Sequence, residues 1–537
     1  MQQHRLISWV RKYLQGIDWD LLVLLLFFLN VKLVIKLAAL AFVLVRKKQW
    51  RLRFAARPPG IPLFYPLMVL IALINLVVYG LYRDANYLVL ITAGIGHWLL
   101  CMIAFQQVSG LIDRQSLHKL HATLALFFLV NALASFANLA AIIWETGELN
   151  PYRYQGNYQK YFIGTGDYIR GISFNTSTTN AIFNAFGIVY FLCKRNFRLS
   201  LLCMVVLLLT YSNFANLLIV GGLLWMFVFM SDRNQKTVIV LQFALLVVFM
   251  TQVSPQNNRY ASEAMEKFWG GGVKHSRPVK LIPVEERPDS VLTVEERKYK
   301  LAKLWLDSMK KVRSQTLAIK ETVKPEIPKA NIHTPPYQHR QDSSETRMTA
   351  IVYLEELKKE QGTKLDTSLL RSRKPGKLIV FQQLVGWVGT HPLKSVTGNG
   401  LGNYSSKIAF RAAGIKTSGS YPEKFRYIHE DFKDGALLVY LDYVSRDAGF
   451  HSVANFPYSF YVQLLGEYGI AGCICFCLFY LGYFLKQWRK NGYAVPILLI
   501  MTAAFAADYW FEQLSVVLLF ELFLLLDNKE KHEAING

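Results

Sequence analysis

Two arginines and a lysine are the residues whose chemistry and position suit the binding of a phosphorylated ligand. Arg170 stands just before an apolar run that begins near residue 178, while Lys407 and Arg411 follow a glycine-rich turn. The planar guanidinium of arginine makes paired, charge-assisted hydrogen bonds to phosphate oxygens. We therefore expect these cations to bind a diphosphate at a membrane surface. The alternative is that each arginine is a plain interfacial anchor.

The glycine-rich turn covers residues 397–406 and has glycines at alternate positions, Gly398, Gly400 and Gly402. Backbone with so little side-chain cover can approach a phosphate or a sugar closely. No strand–helix unit of the nucleotide-binding kind follows, which disfavours a nucleotide loop. The turn predicts glycan contacts by Gly400, Gly402 and Asn403, and the alternative is a tight connection without a ligand.

Proton transfer would fall to a histidine or a carboxylate. His391, His429 and His451 lie in the polar region between two blocks of apolar runs. Histidine ionises near neutral pH, although each of these three, taken singly, is more often a surface residue. Glu467 stands near the start of an apolar run, where a carboxylate is costly unless it is paired or near the interface. It is predicted to hold an arginine in place or to act as a base, with structural pairing favoured.

The cysteines favour neither a disulfide nor a metal site in the polar region. All 6 cysteines lie in apolar runs, so we expect that region to fold without disulfides. Cys473, Cys475 and Cys477 alternate along the chain, but such ligands would splay around a helix, and packing is the favoured interpretation. The sequence predicts no bound metal and no other cofactor.

Apolar runs must position these candidate residues. The chain has 537 residues, 53% of them hydrophobic, which excludes an ordinary soluble protein. A membrane helix needs roughly 20 apolar residues, and we count about 11 such runs, within a range of roughly 10–12. They lie near residues 19–45, 61–82, 87–108, 122–144, 178–193, 199–212, 215–230, 236–252, 456–485, 492–510 and 513–526.

The net charge of +23 would suggest nucleic acid for a soluble protein. Here many cations flank the apolar runs, in segments 46–57, 194–198, 233–236 and 486–490. The positive-inside rule makes those segments cytoplasmic. Residues 145–178 and 253–455 then lie outside and the C-terminus inside. The same count places the N-terminus outside, which its own cations disfavour, so we expect one miscounted span there.

The fold class predicted is therefore an all-α polytopic membrane protein with one large, mainly helical periplasmic loop. Residues 1–252 form an N-terminal transmembrane block, 253–455 the loop domain, and 456–537 a closing transmembrane block with a cytoplasmic tail. Within the loop, 294–312 reads as a basic amphipathic helix that lies on a membrane surface or packs on its neighbours. An apolar stripe over 378–388, ending at Gly389, predicts a second helix.

Three patches resemble the O-antigen ligase and O-antigen polymerase superfamily. The segment from Arg170-Gly171 to Asn175 resembles the family's arginine–glycine, phenylalanine–asparagine motif before a helix. The stretch from His391-Pro392 through residues 398–404 resembles its proline- and glycine-rich turn. Residues 458–472 resemble its helix-entry motif, with helix number and loop position extending the match over most of the chain. Tyr458 stands where the family's ligase histidine would align, and a tyrosine with a pKa of about 10 is a poor general base.

The resemblance implies a metal-independent glycosyltransferase in the bacterial inner membrane. Its donor would be an undecaprenyl diphosphate-linked glycan, its acceptor a glycan or a lipid core, and its surroundings membrane lipids and other polysaccharide-assembly proteins, without nucleic acid. Arg170, Arg411 and Lys407 would neutralise the leaving diphosphate. His451, Tyr458 or Glu467 would act on the acceptor hydroxyl. Because the aligned histidine is absent, a polymerase or another acceptor fits better than ligation to a lipid A core.

Two other classes compete with this interpretation. A transporter that flips a lipid-linked glycan would be expected to have charged or broken helices in repeated halves, and no internal repeat is evident. A membrane sensor or assembly factor would be expected to have a sizeable cytoplasmic output domain, and none is evident. The sequence thus favours a glycan polymerase or ligase for surface polysaccharide.

Overall fold

Helices make up nearly all of the chain that the computed structural model describes. The described residues are 15–254, 374–485 and 492–536 together with Lys300, less gaps at 29–31, 49–51, 57, 59, 155–160, 162–164, 174–175, 416–419, 446–452 and 454. Within these ranges the β structure is a single two-residue parallel pair, Phe54–Ala55 with Ile61–Pro62. The all-α class is therefore confirmed. The predicted amphipathic helix over 294–312 and His451 lie outside the described residues.

The helices follow the apolar runs closely. In chain order they are α1 (Trp19–Phe28), α2 (Leu33–Lys47), α3 (Phe64–Val78), α4 (Ala85–Arg114), α5 (Leu117–Thr146), α6 (Ser177–Cys193), α7 (Phe197–Leu209), α8 (Asn213–Phe229), α9 (Arg233–Val253), α10 (Gly376–Thr390), α11 (Pro392–Thr397), α12 (Lys407–Ala412), α13 (Glu430–Phe432), α14 (Leu438–Ser445), α15 (Phe460–Leu485), α16 (Ala494–Phe505) and α17 (Leu514–Asn536). The helix predicted over 378–388 is present as α10.

Four of these helices, α4, α5, α9 and α15, are long and apolar enough to cross a membrane. Six shorter apolar helices, α1, α3, α6, α7, α8 and α16, accompany them. Their exposed surfaces carry many large apolar side chains, such as Val77, Leu133 and Val228. A soluble protein of this size would bury most of that surface. The chain is thus a helical, membrane-associated protein.

The first apolar run folds as a hairpin, and the prediction of one span over 19–45 is wrong. The carboxylate of Asp20, at the start of α1, forms ion pairs with Arg46 at 2.9 Å and with Lys47 at 2.6 Å. Those cations end α2. A continuous helix would hold residues 20 and 46 about 39 Å apart. The two helices therefore run antiparallel, and both outer ends of the hairpin lie together.

This hairpin predicts that residues on either side of it are reached from the same face of the membrane. Single cysteines at Gln15 and Lys48, in a cysteine-free background, should react with an impermeant maleimide from one side only. A cysteine at Glu148, after three further helices, serves as the reference and should react from the other side. Labelling of Gln15→Cys and Lys48→Cys from opposite faces would contradict the hairpin.

A second apolar cluster lies beside the main bundle and links the polar region to it. It is formed by side chains of α10, α12 and α14, including Leu384, Phe410 and Leu438, and it takes in Val462 of α15 and Tyr509. The apolar residues that repeat along one face of α10 form one wall of this cluster. Aromatic rings of the cluster fill the space between its helices. This packing fixes the residues near 405–411 against the ends of α15 and α16.

Candidate functional site

The glycine-rich turn lies buried among three helices of the bundle. Its glycines have positive φ angles of 83° at Gly398, 94° at Gly400 and 78° at Gly402. A Cβ atom on Gly402 would lie 2.5 Å from the side chain of Leu90 in α4. Asn403 is fully buried, and its side-chain amide donates to the carbonyl of residue 399 at 2.9 Å. The close backbone approach predicted at these glycines is present, and the neighbour is protein.

The turn also completes the backbone hydrogen bonding of a broken membrane helix. Helix α15 is interrupted at Gly469, whose φ of 66° and ψ of −166° are not helical. The amide of Asn399 donates to the carbonyl of Gly466 at 2.9 Å, and the amide of Gly400 to that of Glu467 at 3.1 Å. Backbone carbonyls inside a membrane need such partners. The structure thus gives the turn a packing role, while its predicted glycan contacts stay a prediction.

Glu467 faces this turn from inside the bundle. Its side chain is fully buried, and Oε1 accepts a hydrogen bond from the amide of Ser405 at 3.2 Å. The carboxylate therefore holds the chain that leads from the glycine turn into α12. This contact is with backbone, and the predicted pairing of Glu467 with an arginine stays a prediction.

Glu512 is the carboxylate that organises the start of α12. Its Oε1 accepts from the amide of Lys407 at 3.1 Å and from Nε2 of Gln463 at 2.7 Å, and its Oε2 accepts from the amide of Ile408 at 2.9 Å. Orphan amides at a helix start are satisfied well by a carboxylate. Glu512, in the short 3₁₀ turn Trp510–Glu512, thus ties α12 to α15 and to the start of α17.

The positive charges of Lys407 and Arg411 act on Glu512, and a third cation, Lys36, lies near both of them. Burial raises the pKa of Glu512, and the positive charges of Arg411 and Lys407 oppose that rise. Lys36, in α2, is close enough to both Lys407 and Arg411 for their charges to repel. The hairpin is joined to α17 at its inner end, where the hydroxyl of Ser515 donates to the carbonyl of Phe28 at 3.0 Å. Three cations beside the carboxylates of Glu512 and the neighbouring Glu467 leave an excess of positive charge, which suits an anionic ligand.

Arg170 lies on the segment that leads into α6, and α6 contacts the chain directly after the 3₁₀ turn Trp510–Glu512. Its side chain is exposed, with Nε donating to the carbonyl of Asp167 at 3.3 Å and the guanidinium 5.4 Å from the ring centroid of Tyr168. The helix that follows, α6, meets Gln513 through the hydroxyl of Thr179 at 3.4 Å. Arg170 and Arg411 are thus carried by segments that converge on residues 510–513. Asn175 lies outside the described residues.

Tyr458 packs within the aromatic part of this junction. Its ring centroid is 4.8 Å from that of Phe410, 4.6 Å from that of Tyr509 and 3.9 Å from that of Phe456. Tyr458 thus contacts Phe410, the residue that directly precedes Arg411 in the chain. Rings enclose it, and a role as a general base gains no support from these contacts.

Two of the three candidate histidines, His391 and His429, lie in the described part of the chain and have structural partners there. Nδ1 of His429 accepts from the amide of Asp431 at 3.2 Å and faces the side-chain amide of Asn399 at 3.2 Å, so its proton belongs on Nε2. Burial lowers the pKa of His429, while Asp431 raises it. His391 is exposed and stacks on Trp387, with ring centroids 5.5 Å apart. His429 caps α13, and neither histidine points to base catalysis.

No family model matches this chain, and no curated protein or solved structure is significantly similar to it. The resemblance to the O-antigen ligase and polymerase superfamily therefore rests on the residues quoted above.

Lys377 lies at this junction, and sequence reasoning alone does not single it out. Its ammonium group donates to the carbonyl of Ala507 at 2.7 Å and to that of Tyr458. Burial lowers the pKa of Lys377 to about 7, and Asp508 opposes the shift. In the sequence, a lysine at the start of an apolar stripe is indistinguishable from an ordinary surface cation. Its partners, the carbonyls of residues 458 and 507, are brought to it only by folding.

The lowered pKa of Lys377 predicts a pH dependence of stability. The unfolded lysine, with an ordinary pKa of about 10.4, binds a proton that the folded one has lost above pH of about 7. The free energy of unfolding should therefore rise between these two pH values. Melting temperatures in detergent should show that rise for the wild type and lose part of it in Lys377→Met. The exposed Lys374→Met is the control, and equal slopes in all three proteins would contradict the assignment.

Proposed function

We propose that this protein is a membrane glycosyltransferase that polymerises or ligates a polyprenyl diphosphate-linked glycan in the making of a surface polysaccharide. One observation carries the proposal: Lys407 and Arg411 lie on α12, whose start is bound by the carboxylate of Glu512 where the polar region joins the membrane helices, and Lys36 adds a third positive charge near both. A diphosphate on a lipid lies at the same depth as such a junction. The sequence resemblance points to the same ligand.

In this proposal the cations hold the donor's diphosphate and stabilise it as it leaves. The oxygen of an acceptor hydroxyl forms a bond to the anomeric carbon, the bond from that carbon to the diphosphate oxygen breaks, and the hydroxyl proton passes to a base. Cations fixed in place before the reaction lower the energy of the developing negative charge. Arg411 is exposed at the cluster, so its planar fork is free to meet phosphate oxygens.

Arg170 supplies a further cation on the neighbouring segment, and Glu512 fixes α12 so that Lys407 and Arg411 keep their places. His451 and Tyr458 stay the predicted candidates on the acceptor side, with Tyr458 nearest to Arg411 through Phe410. The site would face the periplasm from the bacterial inner membrane, where the polar region 253–455 forms the large loop. The acceptor would be a second glycan or a lipid core.

A deletion strain tests this proposal. Loss of a polymerase should abolish long glycan and leave single lipid-linked repeat units, accessible from the periplasmic side of spheroplasts. Loss of a flippase would leave the same units accessible only from the cytoplasmic side. Unchanged surface and secreted glycans would contradict the glycosyltransferase and favour a sensor or a carrier of another cargo.

A further inference from the structure

We propose that a basic cleft between α8 and α9 binds the headgroup of an anionic phospholipid. The cleft has a volume of about 460 Å³ and lies at the end of α8 and the start of α9. Its lining combines two cations and a hydroxyl with two apolar side chains: Arg233, Lys236, Thr237, Phe227 and Val240. This cleft is separate from the Glu512 junction, and the inference does not depend on the glycosyltransferase proposal.

The charge of the cleft is not balanced by the neighbouring acid. The carboxylate of Asp232 pairs with Arg195 at 2.8 Å and also accepts from the amide of Gln235 at 2.8 Å, which caps α9. Within the described part of the chain, Arg233 and Lys236 take part in no ion pair. Two positive charges therefore face the cleft. A phosphodiester is the interfacial group that balances them.

The apolar lining decides between a lipid and a free anion. The ammonium group of Lys236 lies 5.2 Å from the ring centroid of Phe227, which keeps it at the mouth of the cleft. Val240, one turn further along α9, is 56% exposed. Helix α9 is apolar and long enough to span a bilayer. A phosphate on the cations would thus place an acyl chain along Phe227 and Val240, whereas a free phosphate would leave both uncovered.

Native mass spectrometry of the delipidated full-length protein tests the assignment, with phosphatidylglycerol as the probe. Each basic residue near an anionic lipid contributes a factor of about five, so Arg233→Gln/Lys236→Gln should bind phosphatidylglycerol roughly 30-fold more weakly than the wild type. The double variant Arg83→Gln/Arg198→Gln also removes two exposed cations and should bind as the wild type does.

Three results would overturn the proposal. Equal binding of phosphatidylglycerol by both double variants would show that these cations do not hold the lipid. Equal binding of phosphatidylcholine and phosphatidylglycerol by the wild type would reduce the cleft to an apolar surface. Competition by millimolar inorganic phosphate as effective as that by the lipid would assign the cleft to a small anion instead.

Discussion

An Arg411→Ala variant should lower the yield of long glycan on the order of 100-fold, because one preorganised donor to a developing anion contributes about that factor. Arg411 is exposed beside Lys407 and Glu512, so its removal leaves the packing of α12 intact. Arg411→Lys keeps the charge but loses the planar fork and should fall between the wild type and the alanine variant. The readout is glycan chain length in a complemented deletion strain.

Arg83→Ala is the matched control, since Arg83 is an exposed arginine of the 3₁₀ turn Leu81–Arg83 that precedes α4. It should leave chain length unchanged. Equal amounts of all variants in the membrane, measured by immunoblot, separate lost activity from lost protein. Full-length glycan from Arg411→Ala would remove Arg411 from the diphosphate site. Lys36→Met should also shorten the glycan, because it removes the third cation of the proposed diphosphate site, which the hairpin of α1 and α2 supplies.

The largest effect on stability is expected at Gly398. Its φ of 83° and ψ of 178° belong to a region that only glycine adopts readily. A Cβ atom there would lie 2.2 Å from the backbone of Glu467. We expect Gly398→Ala to destabilise the protein by about 3 kcal/mol or more, through backbone strain and the displacement of α15. The measurement is the amount of monodisperse protein after extraction and its melting temperature.

Gly386→Ala is the control for that prediction. Gly386 lies within α10, and a Cβ atom there would meet nothing within 4 Å. Alanine in a helix interior is better than glycine by about 0.5–1 kcal/mol, so this variant should be as stable as the wild type or slightly more so. Equal melting temperatures for Gly398→Ala and Gly386→Ala would show that the turn is not packed against α15 as described.

The sequence predicted the helices well because apolar runs need no tertiary information. Helices α4 and α5 coincide with the runs near 87–108 and 122–144. The hairpin was missed because 19–45 is as long as a spanning run, and only the pairing of Asp20 with Arg46 and Lys47 reveals the reversal. The same miscount accompanies a conflict in the predicted topology: with 19–45 as one span the N-terminus falls outside, which its own cations disfavour.

The candidate site was only partly accessible to sequence reasoning. Glycines at alternate positions predicted a close backbone approach, but the pattern does not say whether a ligand or the protein is the neighbour. Glu512 lies over 100 residues from Lys407, so the carboxylate that organises α12 is set by the fold. The separation between Lys36 and Arg411 is larger still. Contacts between charged groups so far apart along the chain follow from packing and not from local spacing.

The break in α15 at Gly469 also has a consequence for how the chain is assembled in the bilayer. The carbonyls of Gly466 and Glu467 are satisfied by amides of Asn399 and Gly400, residues that leave the ribosome before α15 does. Until that earlier segment has docked, these two carbonyls of α15 lack the protein donors that they need inside a bilayer. Insertion of the C-terminal helices is therefore a late step that waits for the polar region. A chain truncated before Phe460 would lack the surface on which the turn settles.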